Sequence, residues 1–107
     1  MPRGILATIT ARTSKDHLAL RAIYDNAYRE ERFITVLPEG QLPETSSLTG
    51  SNSVHIQVAV DSHTSRAIIS AAEDNLGKGA AGQAIQNANL MCGFAEDEGL
   101  PVMGIGQ

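Results

Sequence analysis

Residues 54–61, VHIQVAVD, alternate strictly. Val54, Ile56, Val58 and Val60 face one way, and His55, Gln57, Ala59 and Asp61 face the other. A period of two is a strand's and not a helix's, so this segment predicts a half-buried strand. The alternation runs into DSHTS at 61–65, which favours a tight turn. Residues 67–72, AIISAA, then read as the returning strand of a hairpin. An isolated hairpin is marginal in water, so the rest of the chain has to complete a sheet and cover it.

Residues 4–11, GILATITA, alternate in the same way, with Ile5, Ala7, Ile9 and Ala11 on one side and Leu6, Thr8 and Thr10 on the other. Thr13 or Ser14 is placed to cap a helix that opens at Lys15 or Asp16. It runs to Glu31 with Leu20, Ile23, Tyr24 and Ala27 as its apolar face and Arg21, Asp25 and Arg29 as its solvated one. Residues 33–37 are a short apolar run that predicts another strand. Residues 37–53 are rich in Pro, Gly, Ser and Thr and read as a loop, long enough to suggest a functional or interface role. The polar, glycine-bearing residues 74–79 lead into a helix at about 80–94, with Ala81, Ala84, Ile85 and Ala88 on one face and Gly93 weakening its end. The tail from Glu96 reads as irregular. The order β-α-β-β-β-α predicts an α+β fold, a largely antiparallel sheet with two main helices, over one unit spanning 1–107.

Aromatic residues are 4% of the chain and hydrophobic ones 42%. Ile, Leu, Val and Ala must therefore fill the core, and alanine buries little area per residue. A core so thin predicts reliance on a neighbouring domain or subunit. The formal net charge is −4 and the basic residues are scattered, which disfavours nucleic acid or an anionic membrane as partner. No apolar run approaches the ~18 residues of a membrane span, and MPRGILATIT lacks the layout of a signal peptide. The single cysteine, Cys92, excludes an internal disulfide. The expected setting is cytoplasmic.

Among candidate site residues, the loop-helix GKGAAGQAIQN supports two readings. Gly79 and Gly82 bare a helix N-terminus to a phosphate or carbonyl, and Gln83, Gln86 and Asn87 stand behind it with amides able to pair with another amide. Alternatively the small residues let the helix pack closely on a neighbour. Gly77, Gly79 and Gly82 spell G-x-G-x-x-G, but without the strand context and distant acid of a dinucleotide fingerprint. Arg3 can hold a carboxylate or phosphate with two hydrogen bonds, or stand solvated at a strand's mouth. His17, His55 and His63 are too dispersed for a metal site. The carboxylates, Glu73 and Asp74 among them, show no deducible pairing. Cys92, in NLMCGF, reads as a buried, inert thiol, far from the helix N-terminus or base that would activate it.

Three segments in series, MPRGILATI, FITVLPEGQLPETSSLTGSN and DNLGKGAAGQAIQNANLMCG, resemble the C-terminal third of N-acetyl-γ-glutamyl-phosphate reductases. The resemblance implies part of the GAPDH-like catalytic and dimerisation domain. It also implies a terminal helix that packs back on a nucleotide-binding domain absent from these residues. The implied reaction is NADPH-dependent reduction of N-acetyl-γ-glutamyl phosphate to N-acetylglutamate 5-semialdehyde with release of phosphate, in arginine biosynthesis. The family's nucleophilic cysteine and its histidine have no counterpart here; both are expected ahead of Met1. Cys92, His17, His55 and His63 match neither position. What carries over is Arg3 as a substrate contact, and Gly82 and Gln83 beside the nicotinamide of NADP. The implied partners are the nucleotide-binding domain, a small-molecule substrate and further copies of the chain, and the chain alone is expected to be inactive. Glu73 departs from the family's apolar preference, and LPVMGIGQ is only loosely family-like. The alternatives are a non-catalytic, self-associating module derived from the same family, and an unrelated α+β ligand-binding domain.

Overall fold

The computed structural model of the chain describes residues 1–106. Its elements in chain order are β1 (Ile5–Arg12), α1 (His17–Tyr28), β2 (Ile34–Val36), β3 (Val54–Asp61), β4 (Arg66–Glu73) and α2 (Gly82–Cys92). The strands form one sheet in the order β1-β4-β3-β2. The predicted hairpin is β3–β4, antiparallel, with Asp61 opposite Arg66 at the turn. Strand β1 pairs antiparallel with β4 along its whole length, from Ile5 opposite Glu73 to Arg12 opposite Arg66.

The fold is α+β as expected, but the sheet is mixed, because β2 lies parallel to β3. The cause is α1. It carries the chain from the β1 edge to the opposite edge, and a helical crossover delivers the next strand in the direction of the first. Strand β1 already runs with β3, so β2 does too.

Helix α1 starts one to two residues later than expected. Its cap is Asp16, whose side chain accepts from the Ala19 N–H at 2.7 Å, while the Thr13 hydroxyl accepts from Lys15 N–H instead. Its inward stripe is Leu20, Tyr24 and Tyr28, packed on the buried Ile56, Val58, Ala67 and Ile69. Ile23 and Ala27, expected on that stripe, are exposed. The two tyrosine rings, 6.0 Å apart, fix the contact on the i, i+4, i+8 line. Arg21 is not on a solvated face. It donates to Gln57 Oε1 at 3.1 Å and to the Leu37 carbonyl.

The predicted loop at 37–53 is irregular yet buried in part. It contains a 3-10 turn at Ser46–Leu48, with Leu48 wholly buried. Ser51, Asn52 and Ser53 are buried as well, and buried backbone in a loop has to find partners. The tail supplies them: Asn52 N–H donates to the Pro101 carbonyl at 2.8 Å, Ser53 Oγ to Val102 at 2.5 Å, and Ile105 N–H to Thr49 at 2.9 Å.

One half of the sheet is left uncovered. Residues Ile5, Ala7, Ile9 and Ala11 extend the row of β4 residues that α1 helps to bury, but α1 lies over β2 and β3. Ile9 is 52% exposed, Leu6 on the opposite face 53%, and the outer edge of β1 pairs with no strand among the described residues.

Candidate functional site

Strand β4 ends at Glu73, and the chain turns at once through Asp74. The Asp74 side chain has no exposed surface. Its Oδ1 accepts from Arg3 Nε at 2.9 Å and from Leu76 N–H at 3.0 Å. Its Oδ2 accepts from Arg3 Nη2 and from Gly50 N–H, both at 2.6 Å. Asn75 Oδ1 adds a bond from Gly4 N–H at 2.7 Å. One carboxylate thus joins the mouth of β1, the 37–53 loop and the approach to α2. The Arg3 hydrogen bonds hold the Asp74 carboxyl well below the usual carboxylate range. Burial opposes them, and the Gly50 and Leu76 N–H groups reinforce them. In return Asp74 raises the Arg3 pKa.

After Leu76 the backbone makes a π-helical turn, Gly77–Ala81, before α2 begins at Gly82. The helix is shorter at both ends than the predicted 80–94. It closes at Gly93, which adopts φ +76° and satisfies the last carbonyls through its own N–H and that of Phe94. Gly93 is therefore the helix's cap, not a weakness inside it.

The orientation of α2 reverses expectation. Its inward line is Gly82, Gln86 and Asn89, while Ala81, Ala84, Ile85 and Ala88 face outward. Amides dock it. Gln86 Oε1 accepts from Asn52 Nδ2 at 2.9 Å and from Lys78 Nζ at 2.6 Å, and Gln86 Nε2 donates to Glu96 Oε1 at 2.7 Å. Asn89 Nδ2 donates to the carbonyls of Glu96 and Glu98. Apolar periodicity misreads a helix whose buried contacts are hydrogen bonds.

The sequence-derived site residues separate into two places. Arg3 is engaged by Asp74 through Nε and Nη2, which leaves Nη1 without a partner among the described residues. Gly82 is buried under Asn52: a Cβ there would collide with Asn52 Oδ1 and stand 2.8 Å from the Gly77 carbonyl oxygen. Its lack of a side chain is thus required by internal packing. Gln83, next to it, is exposed and bonds to nothing among the described residues. Asp74, Asn52 and Gln86 are the structural centre of this region. An Asp-Asn pair closing a strand ahead of a glycine loop is a legible signal for Asp74; nothing local marks Asn52.

The remaining candidates fall elsewhere. His17 lies 3.6 Å from Glu39, His55 lies on β3 and His63 in the hairpin turn. No group of His, Cys, Asp or Glu among the described residues is arranged to hold a metal ion. Cys92 is exposed, not buried, because it lies on the uncovered side of α2. No helix among the described residues is long and apolar enough to cross a membrane.

Residues 1–75 match the family model described as semialdehyde dehydrogenase, dimerisation domain. The chain is 50% identical over 105 residues to an N-acetyl-γ-glutamyl-phosphate reductase of Salinispora tropica, covering 98% of this chain and 31% of that protein. Reductases of the same name from Mycobacterium avium and Acidothermus cellulolyticus are each 52% identical, over 96% and 98% of this chain and 30% and 31% of theirs. The chain therefore spans less than a third of these relatives, and corresponds to their C-terminal part. Among solved structures, aspartate semialdehyde dehydrogenase II of Vibrio cholerae, complexed with ASA, superposes with a TM-score of 0.65 at 22% identity. That match covers 84% of this chain and 27% of that one and establishes the shared fold. Residues 1–75 hold the whole mixed sheet and the helix that crosses it, and over them the chain belongs to the semialdehyde dehydrogenase dimerisation-domain family.

Proposed function

We propose that the chain is the C-terminal part of an N-acetyl-γ-glutamyl-phosphate reductase. The whole enzyme reduces N-acetyl-γ-glutamyl phosphate to N-acetylglutamate 5-semialdehyde with NADPH and releases phosphate. The observation that carries this reading is identity of about half over 98% of the chain to reductases of that name. The chemistry falls to a cysteine and a histidine outside these residues, so the chain by itself is inactive. Its part is to position substrate and to complete the assembly.

Arg3 suits the first role. Asp74 fixes the guanidinium in place while Nη1 stays free to donate to a carboxylate or phosphate oxygen. Gln83 suits a contact to NADP, because its unengaged amide can both donate to and accept from a carboxamide. Gly82 serves it indirectly, by letting α2 seat against Asn52 so that the next residue is held outward. The bound nicotinamide would supply the hydride; the protein's contribution here is orientation. The outward apolar face of α2, with Ile85 and Met91, suits packing on the nucleotide-binding domain. The bare half of the sheet at β1 suits a further copy of the chain.

The test joins this chain behind the remaining portion of the Salinispora tropica reductase and follows NADPH oxidation with N-acetyl-γ-glutamyl phosphate. Phosphate-dependent NADP reduction with the semialdehyde is the reverse assay. Turnover is expected from the joined protein and none from the chain alone. A folded, soluble hybrid without turnover, beside an active parent, overturns the reading. The bare β1 face also favours a second reading, a self-associating module without catalysis, and turnover by the hybrid decides against it.

A further inference from the structure

At the end of the sheet opposite Arg3, two arginines stand side by side. Arg12 closes β1 and Arg66 opens β4, and the register sets them directly opposite one another. Like charges in that position repel, and a chain of net charge −4 has no shortage of carboxylates to place nearby. Neither arginine is in an ion pair among the described residues. Asp61, the next residue across from Arg66, is committed to its own turn: it accepts from His63 N–H at 3.0 Å and from Thr64 Oγ1 at 2.6 Å.

Arg12 and Arg66 line a shallow, open depression of about 520 Å³ with Thr13, Ser14, Thr64 and Ser65. Its two rims are tied together by Thr13 N–H donating to the Ser65 carbonyl at 3.0 Å. Ser65 holds φ +53°, a conformation uncommon outside glycine. Ser14 and Ser65 are exposed at its rim, whereas the Thr64 hydroxyl already donates to Asp61. Two forked cations beside exposed hydroxyls offer donors to several oxygens of a tetrahedral oxyanion at once.

From this juxtaposition we propose that Arg12 and Arg66, with Ser14 and Ser65, form a binding site for a phosphate group, either free or carried as a monoester on a small molecule. The bound dianion relieves the cross-strand repulsion. Ligand binding and sheet stability are therefore coupled, in a way that does not depend on the catalytic reading above.

That coupling gives the test a crossed sign. The full chain is melted without ligand, and with inorganic phosphate, glycerol phosphate, acetate or chloride at matched ionic strength. Phosphate raises the midpoint saturably, as a ligand of the folded state must. Acetate and chloride do not. R12A and R66A each raise the midpoint in the absence of phosphate, because one charge of a repelling pair is gone, and each weakens the phosphate response about tenfold. R29A, on α1, changes neither. A greater response to glycerol phosphate than to inorganic phosphate identifies a monoester as the ligand, and the reverse identifies the free ion. A phosphate response equalled by acetate, absent altogether, or kept in the R12A/R66A double variant overturns the proposal. So do arginine variants that melt lower than the original without ligand.

Discussion

Arg3 and Asp74 are seventy-one residues apart and bonded at two points, at 2.9 and 2.6 Å, with the carboxylate wholly buried. The pair joins the start of the sheet to its last turn. Asp74 accepts four hydrogen bonds, and asparagine at that position has a single acceptor oxygen and turns an N–H₂ towards two of the four donors. D74N is therefore expected to lower stability by about 3 kcal/mol, read from urea melts of the chain. A loss below ~0.5 kcal/mol shows that the pair is not structural. With Arg3 as a substrate contact, as proposed, the same variant in the joined enzyme is expected to raise KM for the acyl phosphate more than it lowers kcat.

Acid weakens the fold in two stages. The Asp74 carboxyl is held below its ordinary value of 3.8, chiefly by Arg3, and burial pushes His55 below its ordinary 6.5. In both cases the unfolded chain binds more protons than the folded one, so stability rises with pH through each window. The His55 contribution is complete above pH 6.5 and is lost as pH falls below it. The Asp74 contribution is complete above pH 3.8 and is lost below that. H55Q is expected to flatten the first limb of a stability–pH curve and leave the second. A first limb that persists in H55Q assigns it to another group.

Gly82 and Gly93 bracket α2 and are expected to fail differently on substitution. At Gly93 a Cβ meets nothing within 4 Å, so G93A carries only the left-handed backbone strain, about 1 kcal/mol. At Gly82 the backbone is ordinary helix, and alanine would gain about 1 kcal/mol of propensity. The collision with Asn52 and the Gly77 carbonyl outweighs that gain, and G82A is expected to destabilise by a net ~2 kcal/mol. Thermal melts that rank G93A as the worse of the two contradict the assigned packing.

What was legible in the sequence follows from what each segment uses to hold itself in place. The β3–β4 hairpin and β1 are set by period-two apolar patterning, and their registers agree with it residue by residue. The parallel seating of β2 is not legible in its three residues, because α1 decides it by crossing the sheet. The outward and inward faces of α2 are inverted, because Gln86 and Asn89 bury amides where a pattern reader expects Ala84 and Ile85. Arg3 was visible as a residue with something to hold. That its partner lies at Asp74 depends on β1 and β4 ending side by side, which no local pattern encodes.

The inverted helix leads to a prediction that separates folding from assembly. Ile85 is 45% exposed and Met91 86%, so neither contributes much to the fold of this chain. An aspartate at either position is expected to change stability by less than ~0.5 kcal/mol. If the outward face of α2 seats a nucleotide-binding domain, I85D desolvates a new charge at that seam and abolishes activity in the joined reductase. Q86A shows the opposite order. It removes the acceptor shared by Asn52 and Lys78, lowers the stability of the chain by about 1–2 kcal/mol, and reaches activity only through that loss. Melting curves of the chain, set beside activity of the joined enzyme for I85D and Q86A, read both effects. An I85D enzyme with full activity removes α2's apolar face from the assembly and points to the exposed β1 half of the sheet instead.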